Sequence, residues 1–388
     1  MLVKHRLARG LIACACLACA CGASSAAAGA CLDPGAWAVP DAQGFRATTP
    51  SDVLASAKNA DFVLLGEAHD DPDHHLWQLQ SLAMLLGERD RLAIGMEMFP
   101  RRAQPVLDRW VAGDLDEAAF LRDSDWNRVW RFDPQLYLPI LRFARLNHIP
   151  VIALNVERQL VTEVAMRGLS AIDPARREGI TDPAPASAQY RESLRSSFEQ
   201  HGKQDESMFE NFVQAQLVWD RAFAQALSDA ASAHPGALVV GIIGSGHLRY
   251  GHGVPHQLHS LGQDKISVWL PIPAASNCAE LVDIADVLFP VNDSERSTPP
   301  VLGVYLRDED GATTIGKVMP GSVAAKAGLA SGDRIVSAAG VQINSSDDVI
   351  ALVRRQYPGT WLPIIIERDG KTVDVIAKFP PMQPGENE

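Results

Sequence analysis

Phe62-Val63-Leu64-Leu65-Gly66-Glu67-Ala68-His69 runs from four apolar residues straight into a glycine, a carboxylate and an imidazole. One such run could be a strand or a piece of buried helix. The pattern recurs, however. Leu92 to Met96 leads into Glu97, Pro150 to Leu154 into Asn155 and Glu157, and Ala237 to Ile243 into Gly244-Ser245-Gly246-His247, while Ile266 to Leu270 is a further apolar run. Between these runs lie helical periodicities, at His74 to Leu86, Tyr137 to Asn147 and Met208 to Ala231. Short β-branched strands alternating with helices predict an α/β domain with a mostly parallel sheet flanked by helices on both faces. From Val156 to Asp229 no strand is legible, so this stretch is expected to form a helical insertion beside the sheet.

Open sheets of this kind bind ligands beyond the carboxyl ends of their strands, and those ends are polar here. Glu67, His69, Glu97, Asn155 and His247 are expected to converge on one edge, with Glu67 and His69 on the same side at i, i+2. The next helix adds His75 and Gln78 at i, i+3; His74 also reaches Gln78 at i, i+4, but a first helical turn is often solvated and His75 is preferred. Each residue has an ordinary structural role open to it, such as a buried histidine satisfied by a carboxylate. Their convergence predicts a pocket. Imidazoles and carboxylates are the usual ligands of divalent metals, so a metal-dependent hydrolase using Glu67, His69, Glu97 and His247 is one reading and non-catalytic binding another.

The composition of this 388-residue chain, 47% hydrophobic and 21% charged, suits two globular domains. Its net charge of -12 includes Lys4, Arg6 and Arg9 of a basic N-terminal stretch, and without those three the rest carries -15, which argues against nucleic acid. An apolar Ala- and Cys-rich run from Gly10 to Cys21 and small residues through Ala30 make residues 1–30 an expected export signal. It is either a lipoprotein segment lipidated at Cys19 or Cys21, which is favoured, or one cleaved near Ala26 to Ala28. The expected location is the bacterial envelope, on the periplasmic side and lipid-anchored to a membrane. Cys31 and Cys278 are the cysteines left after this segment, and export to an oxidising compartment predicts a disulfide between them.

Gly66-Glu67-Ala68-His69, the helix with His75 and Gln78, Gly95-Met96-Glu97-Met98-Phe99, Ala153-Leu154-Asn155, Gln216-Leu217-Val218-Trp219-Asp220 and Gly244-Ser245-Gly246-His247 through Gly253-Val254-Pro255 resemble, in order, the ChaN family of haem-binding lipoproteins. The resemblance covers about residues 45 to 275 and extends to a wider superfamily with Tiki, TraB and erythromycin-esterase-like groups. It implies haem or iron handling, with stacked haems held between two subunits, hence a homodimer, and iron bound by a tyrosine. The ligand candidates in this chain are Tyr250 and His252, which an extended backbone would place on one side. Trp126, Trp130, Phe132, Tyr137 and the helix from Met208 to Trp219 could supply an apolar wall.

The first domain is therefore expected over 31–291. A polar, Pro-ended linker follows at 292–300, and the rhythm then changes. Leu302-Gly303-Val304, Gly321-Ser322-Val323-Ala324, Gly332-Asp333-Arg334-Ile335 and a hairpin turn at Asp369-Gly370 resemble a bacterial PDZ domain over 301–380, with a tail at 381–388. Such a module takes a protein's C-terminal peptide by strand addition. Backbone amides at Leu302, Gly303 and Val304 would receive the carboxylate, and Val349, Leu352 and Val353 would line the apolar pocket.

Overall fold

The computed structural model describes residues 32–41, 44–200, 205–277, 281–292, 300–309 and 311–381. The signal segment with Cys19 and Cys21, both Cys31 and Cys278, most of the linker and the end of the tail lie outside the described residues. Among the described residues no helix is long and apolar enough to cross a membrane.

The first sheet contains β1 (Trp37–Asp41), β2 (Gly44–Thr48), β3 (Phe62–Glu67), β4 (Leu92–Pro100), β5 (Val151–Asn155), β6 (Leu238–Gly244), β7 (Ile266–Pro273) and β8 (Val287–Val291), in the order β2-β1-β8-β7-β3-β6-β4-β5. From β8 to β5 every pairing is parallel, and the β1–β2 hairpin adds an antiparallel end. The three strands not expected from the sequence are β1, β2 and β8. Pro40 and Pro290 interrupt β1 and β8, and proline argues against a strand. Here β1 meets β8 through Ala38 and Leu288 alone, which leaves Pro290 outside that ladder.

The sheet is buried on both faces. Val63 and Leu65 enter one core cluster with Ile94, Met96, Val240 and Ile242, and Phe62 and Leu64 enter the other with Val239 and Ile243. Alternate residues of continuously apolar strands therefore serve opposite cores, as a helix-covered parallel sheet requires. The stretch expected to be helical forms Arg158–Arg167, Ala188–Gln200 and Glu206–Ala233, with short 3-10 turns at Leu169–Ala171 and Pro174–Arg176 between the first two. Of these, Glu206–Ala233 presses Ala222, Phe223 and Leu227 onto the second face.

The second sheet contains β9 (Val304–Glu309), β10 (Ala312–Val318), β11 (Arg334–Ala338), β12 (Val341–Gln342), β13 (Trp361–Arg368) and β14 (Lys371–Lys378), all antiparallel, in the order β14-β13-β11-β10-β9 with β12 beside β11. The expected turn joins β13 to β14: Asp369 and Gly370 sit at φ 51° and 70°, the left-handed pair that matches strand twist in a two-residue hairpin. The helix Ser346–Arg354 covers a core that includes Leu302, Ile335, Leu362 and Ile364.

Candidate functional site

Glu67 ends β3 with its carboxylate in the protein interior, 3% exposed. Burial of a carboxylate is unfavourable unless donors satisfy it, and donors surround this one. Oε1 accepts from His69 Nδ1 at 2.8 Å and from the Tyr137 hydroxyl at 2.7 Å, while Oε2 accepts from Gln78 Nε2 at 3.1 Å and lies 3.5 Å from His75 Nδ1. Asp71 caps the helix Pro72–Glu88 with proline in its first turn, which fixes where the helix begins and turns His75 and Gln78 toward Glu67. His75 Nε2 reaches the His69 carbonyl at 3.2 Å. His74 faces the connecting loop instead: its Nδ1 accepts from the Ala68 amide at 2.8 Å. Burial pushes the Glu67 pKa up, but the His69 hydrogen bond, the charges of His75 and His69 and the Tyr137 hydroxyl outweigh it and hold the carboxyl below its ordinary range. His69 shifts the other way. Burial disfavours its charged form, yet the hydrogen bond to Glu67 and the charges of Glu97 and Glu67 raise its pKa.

Glu97 is not at the end of a strand, as the sequence suggested, but inside β4, which continues to Pro100. The register between β4 and β5 slips between Met96 and Pro100, and this irregularity gives Glu97 its aim. Its Oε2 accepts from the Gly244 amide at 2.6 Å, and Asn155 Nδ2 donates to its carbonyl at 2.9 Å. Asn155 is thus a strap holding β5 to β4. Gly244 is required here because a Cβ would stand 2.8 Å from His69 Cε1 and 3.4 Å from Glu97 Oε2. The imidazole and the carboxylate converge over that bare Cα.

His247 follows in the turn after β6. Its Nδ1 is 2.7 Å from Asp220 Oδ1, and the other Asp220 oxygen accepts from the Tyr190 hydroxyl at 2.7 Å. Asp220 is fully buried, and the His247 ring lies against Phe223 and Trp219 at 5.3 and 6.1 Å. Burial lowers the His247 pKa, but the hydrogen bond and charge of Asp220, with Glu97 beyond, push it up to about 9. The result is an alternating row, Glu67, His69, Glu97, His247, Asp220, whose two end carboxylates each hold an imidazole Nδ1 and a buried tyrosine hydroxyl. Asp220 and the two tyrosines, Tyr137 and Tyr190, were not among the site residues expected from the sequence. Asp220 carried a signal, an acid within an apolar helix, and Tyr137 was taken only as apolar wall. Tyr190 offered no signal.

This row does not present the metal set expected as one alternative. Among the described residues no group of three or more His, Cys, Asp or Glu is arranged to hold a metal ion. Both carboxylate oxygens of Glu67, Oε2 of Glu97 and Nδ1 of His69 and His247 face partners within the protein.

Tyr250 and His252 lie beyond His247 in a 3-10 turn rather than on the extended backbone expected. Tyr250 takes φ 58°, costly for a bulky side chain and held by a hydrogen bond from its amide to the Ile284 carbonyl at 2.9 Å. The two rings nonetheless meet, stacked at 5.6 Å, with Tyr250 42% exposed and Tyr190 behind His252 at 5.9 Å. Phenol and imidazole are both ligands of haem iron, and the exposed phenol leaves room for a flat ligand, so these residues fit haem. Of the expected aromatic wall, Trp126, Tyr137 and Phe209 are core, whereas Trp130 and Phe132 pack on His69 at 4.7 and 5.2 Å. A cavity of about 460 Å³ lined by Arg46, Asp52 and Lys265 sits by the start of β7, away from these groups.

In the second domain, the carbonyls of Leu302 and Gly303 accept from the amides of Ala324 and Met319, fixing the loop before β9, an edge strand. Val349, Leu352 and Val353 are 2 to 9% exposed and belong to the core with Leu302, because their i, i+3, i+4 spacing is the inward stripe of the helix. The apolar residues nearer the surface are half-buried Val304 and Leu306 on β9 and exposed Ile350. Asp308 fastens the far end of β9 to this helix, accepting from the Ser346 amide and hydroxyl at 2.9 and 2.7 Å.

A family model described as haem-binding uptake, Tiki superfamily, ChaN matches residues 53–258, and a PDZ domain model matches residues 300–378. The chain belongs to the ChaN family and carries a PDZ domain behind the family domain. A similar solved structure, cofacial heme binding to ChaN of Campylobacter jejuni, aligns over 65% of this chain and 96% of that one, at 17% identity and a TM-score of 0.50, and shares the fold. An HtrA-type protease, AlgW, with a decapeptide aligns at 20% identity over 23% of this chain and 31% of its own, TM-score 0.21. A serine endoprotease from Yersinia pestis aligns at 24% over 22% and 30%, TM-score 0.20. The chain spans about a third of these two proteins.

Proposed function

We propose that this chain is a haem-binding protein of the bacterial envelope, exported to the periplasmic side and lipid-anchored to a membrane through Cys19 or Cys21. The observation that carries the reading is the Tyr250 ring, set out on a left-handed turn and stacked on His252. Tyr250 is the iron ligand and His252 its neighbour. When bound, haem would supply a ferric iron as the Lewis acid, and the Tyr250 phenol would be the residue that holds it. The Campylobacter protein binds heme cofacially; by analogy two copies of this chain hold a haem pair between them. The PDZ domain takes the C-terminus of a partner protein along β9, and a Cys31 to Cys278 disulfide closes the first domain.

The test is a haemin titration of the mature protein followed by absorption, with sedimentation to report mass. Tyr250→Phe should shift the ferric spectrum and weaken retention, and His252→Ala should do less. Unchanged spectra and affinity in both variants would remove this turn from the haem site.

A second reading, hydrolysis, draws on the row itself: His69 is oriented by Glu67, its side chain is 32% exposed, and it adjoins Glu97. In that case His69 takes a proton from an attacking water. Turnover of simple esters or amides that Glu97→Gln abolishes would favour it; its absence across such substrates would count against it.

A further inference from the structure

The turn that presents Tyr250 also presents a cation with no assigned task. Arg249 directly precedes Tyr250 and is exposed; its carbonyl accepts from the His252 amide at 3.2 Å, while its side chain makes no hydrogen bond or ion pair among the described residues. Many other arginines of the domain are engaged: Arg102, Arg128, Arg142, Arg176, Arg191 and Arg195 all meet carboxylates. The remaining cationic side chain of the loop, His247, is committed to Asp220. Arg249 therefore offers this turn a cation whose side chain is not committed elsewhere in the described protein.

We propose that Arg249 binds a carboxylate of the haem held on Tyr250, and so makes the site select porphyrins with free carboxylates. The inference rests on the haem reading and names the recognition that reading lacks. Haem carries two carboxylates at one edge of its ring, and a chain of net charge -12 repels a dianion unless a local cation offsets the field. A guanidinium suits the task because its planar fork meets both oxygens of a carboxylate, is always charged and is weakly hydrated. Arg249 adjoins Tyr250 on one short turn, and its long side chain is exposed there.

The experiment titrates the full mature chain with haemin and with haemin dimethyl ester, whose carboxylates are blocked. The wild-type protein should prefer haemin by about tenfold or more. Arg249→Ala should bring haemin down to the affinity of the ester while keeping the wild-type ferric spectrum, and Arg249→Lys should recover part of the preference. An unchanged ratio in Arg249→Ala, or no preference in the wild type, overturns the proposal. Failure of the haem reading is seen separately, as a Tyr250→Phe variant whose spectrum matches the wild type.

Discussion

Tyr137 and Tyr250 each stand beside a histidine, at 4.3 Å from His75 and 5.6 Å from His252, yet one is fully buried and the other 42% exposed. Burial, with the charge and hydrogen bond of Glu67, raises the Tyr137 hydroxyl far above its usual pKa, so it is a permanent donor to a buried carboxylate. Tyr250 is partly exposed on a turn with positive φ, its ring against His252, and in the proposed reading it meets the ligand. The difference teaches that the same pair of residue types is architecture at one depth and, in the proposed reading, recognition at another. It also divides the site into a buried row, which should govern stability, and an exposed turn, which should govern binding.

The sharpest way to break that division is Glu67→Ala. Removing the carboxylate from under His69, Tyr137 and Gln78 should cost about 3 to 5 kcal/mol in denaturant unfolding, whereas Tyr250→Ala should stay within about 0.5 kcal/mol in the apo protein. Equal losses would dissolve the distinction. Next in size is Asp220→Asn. A histidine whose folded pKa is raised from 6.5 to about 9 adds stability that is fully present below its unfolded pKa and disappears as pH rises through the folded value. The wild type should thus lose on the order of 3 kcal/mol between roughly pH 6.5 and 9 from this group. The variant should show a flatter profile there and a His247 NMR titration moved down.

A finer cut lies within one loop. Gly244→Ala drives a methyl toward His69 Cε1 and should cost about 1 to 3 kcal/mol and displace the His69 resonances. Gly246→Ala, where an added Cβ meets nothing within 4 Å, should change stability by less than about 0.5 kcal/mol. If both are silent, His69 does not rest over Gly244.

What the sequence made legible follows from the same physics. Apolar runs ending in Glu67, Asn155 and His247 announced strands and their functional ends, since burial on both faces leaves continuous hydrophobic stretches. Glu97 was found but misplaced, because a register slip is set by the neighbouring strand and leaves no local mark. Tyr190 and Asp220 come together across 30 residues through tertiary packing, which periodicity cannot report. The apolar stripe of the PDZ helix, Val349, Leu352 and Val353, was legible too, since its i, i+3, i+4 spacing sets it in the core of that domain.

β9 is an edge strand, and an unpaired edge accepts another molecule's strand as readily as a partner's tail. Its second half guards against this. Arg307 and Glu309 are exposed charges, and Asp308 is turned to Ser346, so only Val304 to Leu306 offers an uncharged template. Three uncharged residues leave little template for cross-molecule sheet growth, so the charges on the second half of β9 work against edge-to-edge association of copies.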